Sequence, residues 1–436
     1  MGFYNLVSFA GIFILLGIAW SCSTDRKRMN WRLVFWGTVL QLLFAFFLFA
    51  VPAGCRLFLF VNKTVVSILD SAGAGTKFVF GRLALPPGTV SESGESSLGS
   101  FLAFQAFPAI VFFSALMSLL YFLRIMPWVI RGFAALFTKL FRISGAESLC
   151  VSANIFVGVE SALTIRPHLH RMTQSELHTV LTSGMATIAS SVLAFYVFVL
   201  QREFPTIAGH LMSASLLSAP AALVMSKLVM PESGTPETLG LHVKPEYERE
   251  RSWIEALIGG ANAGVKLVVG VVALLLAFLG LVALVDLGLG TAGMWINRWT
   301  GWTFDWTLKN LLGYAFYPLT LAIGVPPNDA WEVARLIGER AVVTEVAAYR
   351  DLAVLLSKNA FIHPRSAFIT TYALCGFAHV ASLAIFVGGT AALAPTRTHD
   401  LARLGFRALL SATLACLMTA AVAGTFFTGE SLLMGR

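Results

Sequence analysis

Long apolar runs, separated by short basic or glycine-rich stretches, set the pattern of this chain. Nearly charge-free runs occupy 4–22, 33–51, 101–123, 178–200, 207–230, 265–285, 366–394 and 405–427. Each is near or above the roughly 18 apolar residues that cross a bilayer as a helix, so the pattern predicts about eight spans. The first run has no basic start and no small-residue cleavage pattern, so it reads as a span rather than a leader. Two further apolar stretches, 146–165 and 309–328, are shorter and broken by Gly, Pro and polar residues. Segments 124–145 and 245–265 are amphipathic instead. In the first, Trp128, Phe133, Phe137 and Phe141 alternate with Arg131, Lys139 and Arg142, the pattern of a helix lying in the membrane interface.

Composition agrees with this reading. Of 436 residues, 57% are hydrophobic and 12% charged, against about 25% charged in soluble domains. The net charge of +8 bears on topology rather than on nucleic acid. Arg26, Lys27, Arg28 and Arg32 follow the first span, Arg124, Arg131, Lys139 and Arg142 the third, and Arg397, Arg403 and Arg407 lie between the last two. Basic loops stay in the cytoplasm, which places both termini and the Gly/Ser-rich 72–100 loop outside. Lys358 and Arg365 fit this scheme less well. Five scattered cysteines have no zinc or disulfide spacing and read as small buried hydrophobes.

The candidate chemistry lies in the broken stretches. A carboxylate at membrane depth is costly and faces a cavity or a partner. Glu160 sits in SANIFVGVESALTIRP with Asn154, Gly158 and Ser161, and Pro167 ends the stretch. Gly and Pro let a helix break, and broken helices offer carbonyl and amide groups to ions or substrates. A cap or a buried ion pair would also account for Glu160. Glu345 lies in GERAVVTEVAAY, after LGYAFYPLTLAIGVPPNDA, where Gly324, Pro326 and Pro327 predict the sharp turn of a hairpin. With Arg340 and Arg350 nearby, a surface helix is the other reading. His379 and Ser382 share one helix face. Thr187, Ser190 and Ser191 suit a site or plain helix packing. Each half thus holds an interrupted segment with a carboxylate, followed by a span with hydroxyl groups, the best sequence pointer to a transporter site. Walker, kinase, nucleophile-elbow and HExxH motifs are missing, which argues against an ATP-driven pump or an enzyme. A receptor or a channel is the other class left open.

These stretches resemble the concentrative nucleoside transporter family. The matching segments, in the family's order, are GAES at 145–148, SANIFVG at 152–158, IRP at 165–167, SGMATIASSVLAFY at 183–196, LGYAFYPL at 312–319, GVPPNDA at 324–330, TEVAAY at 344–349 and TYALCGFAHVASLAI at 371–385. The resemblance implies an all-α membrane protein with about eight spans, two re-entrant hairpins, interfacial helices and an inverted-repeat, elevator-type transport domain. It implies a homotrimer in a bacterial inner membrane that imports nucleosides with sodium or protons. Sodium is the expected coupling ion, with no cofactor. By analogy Asn154, the Val157 carbonyl, Thr187 and the Ile188 carbonyl form a sodium site, an oxygen set that suits a hard cation. Glu345, His379 and Ser382 fall on the ribose-binding positions, and Val159, Glu160 and Val192 on the base side.

Some positions depart from the family. GVESAL stands where GQTEAPL is usual, so one residue is missing and the base-reading Gln and Thr are absent. His379 and Thr344 stand where Asn is usual. Altered base recognition follows, and His379 raises pH-sensitive transport. The same fold carrying another nucleoside-like polar metabolite, or coupling to protons, is the alternative. The predicted organisation is a two-helix region and external loop (1–100), a first half (101–230), a polar linker with an interfacial helix (231–262) and a second half (263–436).

Overall fold

The computed structural model describes residues 2–86, 88–90, 94–99, 101–246 and 250–429. Part of the polar run in the linker, residues 247–249, and five residues of the 72–100 loop lie outside the described residues.

The described chain is helical throughout its long elements. Helices α1 (Phe3–Ser21) and α2 (Trp31–Ala50) form the first two spans. Asn30 caps α2 by accepting from the Leu33 N–H at 3.1 Å. Helix α3 (Pro52–Phe80) follows almost at once, so the segment expected to be loop from 72 onward is helical to Phe80 and the first hundred residues hold three long helices rather than two. By length and composition α3 counts among the eight helices able to cross a membrane. Its contacts say otherwise. Gly54 packs on Phe47 near the end of α2, and Asn62 bonds the Pro205 carbonyl and the Gly209 N–H at the start of the fifth span. Phe80 meets Phe104. All of these are ends of other elements, so α3 lies across one face of the bundle. Lys63, Asp70 and Lys77 explain why sequence pattern did not count it as a span.

A short turn of helix, α4 (Leu102–Gln105), leads into α5 (Phe107–Phe122), and the interfacial α6 (Ile125–Phe141) appears where amphipathicity predicts it. Then comes the first hairpin. Helix α7 (Gly145–Ala153) descends, the chain unwinds from Asn154 to Gly158, and a 3-10 segment (Val159–Ile165) returns, bringing Ser161 back to Cys150. The next span is split into α8 (Gln174–Ala186) and α9 (Ser190–Leu200). Thr173 and Glu176 start α8 with a reciprocal capping box, at 3.1 and 2.8 Å. Helix α10 (Ile207–Val229) closes the first half and is buried almost throughout.

Helix α11 (Trp253–Thr300) absorbs residues 253–265 of the predicted amphipathic segment 245–265 and runs for 48 residues without interruption. At 1.5 Å per residue it is about 72 Å long, more than twice a hydrocarbon core. Gly260 and Gly264 press it onto Ser114 and Val111 of α5, a small-residue seam between two spans. Its remaining apolar surface is largely exposed.

The second half repeats the first in outline. Helices α12 (Leu308–Ala322) and α13 (Pro327–Val342) pack closely around the Gly324–Pro327 turn. The hairpin that carries Glu345 is a different one. It is formed by α13 and α14 (Glu345–Ser357), with its tip at Val343 and Thr344. Asp329 near the start of α13 accepts from the Ile362 and His363 N–H groups just beyond α14, both at 3.0 Å, so the two helices run antiparallel. Gly and Pro mark the entrance of this hairpin. Its tip is marked only by the cap residue Thr344, whose hydroxyl accepts from the Ala347 N–H. The predicted span 366–394 is split into α15 (Pro364–Leu374) and α16 (Val380–Leu393), and α17 (Thr398–Thr425) ends the bundle. Two hairpins and two broken spans therefore occupy corresponding places in the two halves.

Candidate functional site

Four backbone interruptions converge at mid-bundle: the tips of the two hairpins and the breaks of the two split spans. The breaks exist because their residues cannot continue a helix. Thr187 takes an extended conformation after Ala186, and Gly376 sits at φ +150°, a region that disfavours any side chain. A Cβ on Gly376 would stand 2.8 Å from the Ala186 carbonyl oxygen, so the two breaks touch directly.

Glu345 is the charged centre of the second hairpin. It is the first residue of α14, 3% exposed, where a helix N-terminus favours a carboxylate. One oxygen, Oε1, accepts from the Tyr196 hydroxyl of α9 at 2.6 Å. The other, Oε2, lies 2.7 Å from His379 Nε2. That approach is short but poorly directed, and Oε2 has no well-formed hydrogen bond among the described residues. It retains capacity to accept from a ligand hydroxyl.

His379 owes its orientation to the break before α16. It is the N-cap of that helix, and its Nδ1 accepts from the Ser382 N–H at 3.1 Å. A backbone N–H can only donate. Nδ1 is therefore unprotonated, and the ring hydrogen of the neutral imidazole resides on Nε2, facing Glu345. Ser382 returns the cap: its hydroxyl accepts from the His379 N–H at 3.3 Å, and it also donates to the His379 carbonyl at 2.7 Å and contacts the Phe377 carbonyl. Predicted residues Glu345, His379 and Ser382 thus form one cluster. Tyr196 completes it and was missed, because a tyrosine in an apolar span carries no spacing signal.

The first hairpin supplies a second cluster, rich in bare oxygens. Asn154 is fully buried at the end of α7. Its Nδ2 donates to Ser183 of α8 at 3.0 Å, while Oδ1 has no partner among the described residues. The Phe156 carbonyl accepts from the Ser190 N–H at 2.9 Å, which ties the hairpin tip to the break of the first split span. The Ile155 carbonyl accepts from the Ser215 hydroxyl at 2.7 Å. No such bond reaches the Val157 or Ile188 carbonyl among the described residues. Thr187 is 1% exposed, and its hydroxyl donates to the Ser183 carbonyl at 2.8 Å, leaving lone pairs free. An unpartnered buried amide oxygen beside free carbonyls is the donor set that a hard cation wants.

The remaining candidates lie on or beside the returning 3-10 segment. Val192 is buried in the first turn of α9. Val159 is half-buried and lies against Gly389 of α16. Glu160 is exposed in the single chain, with its carboxylate curled back toward Gly158. Glu345, by contrast, is buried, with Tyr196 and His379 as its partners. The two carboxylates are not joined in one buried pair.

Comparison with known proteins fits this geometry. Family profiles described as the Na+ dependent nucleoside transporter N-terminus, nucleoside recognition, and the Na+ dependent nucleoside transporter C-terminus match residues 10–83, 103–203 and 210–424 in turn. The chain belongs to the sodium-dependent nucleoside transporter family. It is 37% identical to solute carrier family 28 member 3 of Mus musculus across 97% of its own length, and spans 59% of that longer relative. An uncharacterised transporter of Haemophilus influenzae is 36% identical, with 97% of each chain covered. CNTnw in an inward-facing, substrate-bound state shares 34% identity and a TM-score of 0.85 over 97% of this chain and 98% of that one. A doubly substituted CNTnw in an outward-facing state matches with a TM-score of 0.86, at 33% identity over 98% of each chain. The expected fold of this family, with split spans and hairpins, is the fold found here.

Proposed function

We propose that this protein imports nucleosides across the plasma membrane by an elevator movement coupled to sodium, with base recognition different from the family's usual pattern. The observation that carries the reading is Glu345. It is held where one hairpin tip meets both split spans, with Tyr196 and His379 on its two oxygens and accepting capacity left over. Vicinal ribose hydroxyls are donors of the type that such a carboxylate selects, and an analogue without them would leave it unpaired. His379 and Ser382 supply further polar contacts on the sugar side.

On the base side, Val192, Val159 and Glu160 would face the ligand after a rearrangement of the first hairpin. Val159 offers no hydrogen bond, so discrimination among bases would rest on shape and on Glu160. Asn154, Val157, Thr187 and Ile188 would coordinate sodium. Ion and substrate sites are then linked through the Phe156–Ser190 bond, which joins the hairpin tip to the split span.

The long α11, exposed along its apolar length and seamed to α5, has the chemistry of a fixed scaffold surface. A homotrimer assembled on it would give the moving hairpins a stationary frame. With α3 lying across the bundle face, the number of crossings stays even and both termini remain external.

The test is uptake by proteoliposomes, with a panel of radiolabelled nucleosides and cold competitors, with and without an inward sodium gradient. Saturable accumulation that needs sodium is expected. If no nucleoside competes, the substrate assignment fails and the nucleoside-like metabolite reading takes its place. Accumulation driven by a proton gradient alone would replace sodium as the coupling ion.

A further inference from the structure

The polar linker after α10 is fastened to the base of the first hairpin. Thr238 accepts from the Gly145 N–H through its carbonyl at 2.8 Å and from the Ala146 N–H through its hydroxyl at 3.2 Å, so it shares the capping of α7 with Ser144. Two residues on, the Gly240 N–H donates to the Ile143 carbonyl at 3.2 Å. Gly240 takes φ +70°, and a Cβ there would meet open space. Between this turn and the end of α6 lies a cavity of about 500 Å³, lined by Thr138, Lys139, Arg142, Leu239, Gly240 and His242. That is within the size range of small-ligand sites. None of these residues belongs to the Glu345 or Asn154 cluster.

The cavity is positive, and its charge is not spent on carboxylates. Lys139 and Arg142 are exposed, and neither is paired with an acid among the described residues. The chain holds no Asp or Glu from 101 to 146, and Glu147 is turned to Lys227. In the linker, Glu232 serves Lys227 and Glu237 serves Arg171. The C-terminal pole of α6 is worth about half a negative charge, too little to offset two cations. Arg142 can meet a phosphate with two donors and Lys139 with a point charge, while Thr138 adds a hydroxyl.

Apolar residues beside the cavity decide what kind of phosphate it takes. Trp128 is 76% exposed and Leu136 40% exposed, on the helix face they share with Lys139. Leu239 and Leu241 flank Gly240 at 51% and 57% exposure. Leucines standing out of a polar linker need an apolar cover, and an aromatic and basic helix face is the pattern of the membrane interface. A free phosphate would engage the cations and leave the leucines bare. A phospholipid covers both. We propose that the cavity between α6 and the linker binds the phosphate headgroup of an anionic phospholipid, which braces the linker against the base of the first hairpin. Basic pockets at the membrane surface select such headgroups. A choline headgroup carries the same phosphate but brings its own cation against Lys139 and Arg142, so the site discriminates against it.

The experiment is native mass spectrometry of the delipidated full chain in detergent, titrated with phosphatidylglycerol, phosphatidylcholine or inorganic phosphate, followed by thermal unfolding of the same samples. One phosphatidylglycerol per chain should be retained with at least tenfold preference over phosphatidylcholine, and it should raise the melting temperature. Inorganic phosphate at the same concentrations should do neither. Each cation at a lipid surface is worth about fivefold in affinity, so the double variant Lys139→Gln, Arg142→Gln should retain phosphatidylglycerol about 30-fold less well. Equal retention of the two lipids by the unaltered protein, or undiminished retention of phosphatidylglycerol by the variant, overturns the proposal. Stabilisation by inorganic phosphate equal to that by phosphatidylglycerol removes lipid as the occupant. Should the double variant fail to fold, Lys139→Gln alone decides: retention about fivefold weaker supports the site, and unchanged retention contradicts it.

Discussion

Glu345 and His379 meet at 2.7 Å across the gap between the second hairpin and the second split span. The contact joins two elements that are 34 positions apart in sequence and ties the hairpin tip to the N-cap of α16. Glu345→Gln keeps the shape and removes the charge. Hydrogen bonds to charged groups contribute about 1.5–3 kcal/mol, and 1.4 kcal/mol is tenfold in affinity. Nucleoside uptake should fall by about 10- to 100-fold or more at subsaturating substrate, with an unchanged size-exclusion profile in detergent. Full uptake in this variant would remove Glu345 from the site.

Tyr196→Phe isolates the second partner of the carboxylate. The ring stays packed on Tyr349, and only the 2.6 Å hydroxyl contact is lost. Affinity should drop by about tenfold with the melting temperature nearly unchanged. Competition binding and thermal unfolding on one preparation will separate these effects.

His379 has two duties, and they can be separated by substitution. Asn can still accept the Ser382 N–H as a cap, so His379→Asn should stay folded and active with a changed affinity for the sugar. Ala can do neither. His379→Ala should lose about 1 kcal/mol of stability from the cap and most of its uptake. Uptake panels and melting curves for both variants check this, and equal behaviour of the two would contradict the assigned roles.

The buried ion pair Lys227–Glu147, at 2.8 Å with 6% and 1% side-chain exposure, joins α10 to the first hairpin. Lys227 also donates to Ser175 at 3.0 Å. Lys227→Met leaves a carboxylate buried and unpaired, a loss of about 3–5 kcal/mol. Adding Glu147→Gln should restore much of it. Thermal unfolding of the single and double variants measures the recovery; absence of any recovery would mean that packing, not charge, fixes this junction.

Much of this architecture is legible in the chain because lipid leaves few options. Charge-free runs become spans, and Gly, Pro and stray carboxylates inside them mark the interruptions. Glu345, His379 and Ser382 could be placed in one cluster because motif order carries that information. The tip of the second hairpin could not be located so well. Gly324 and Pro327 are louder signals than the quiet cap at Thr344, and they mark the entrance instead. Helix α3 escaped because its charges look like loop, while the helix lies flat on the ends of others. Tyr196 went unassigned because its importance comes from a partner far away in sequence. Glu160 is expected to face a cavity or a partner, and the 3-10 segment leaves it exposed.

The most direct measurement is calorimetric binding of a nucleoside to purified protein, in sodium and in choline, for the unaltered chain and Glu345→Gln. Saturable heat should appear for the unaltered chain in sodium and not in choline, and the variant's affinity in sodium should be at least tenfold lower. Equal binding by both proteins, or binding indifferent to sodium, would contradict the account.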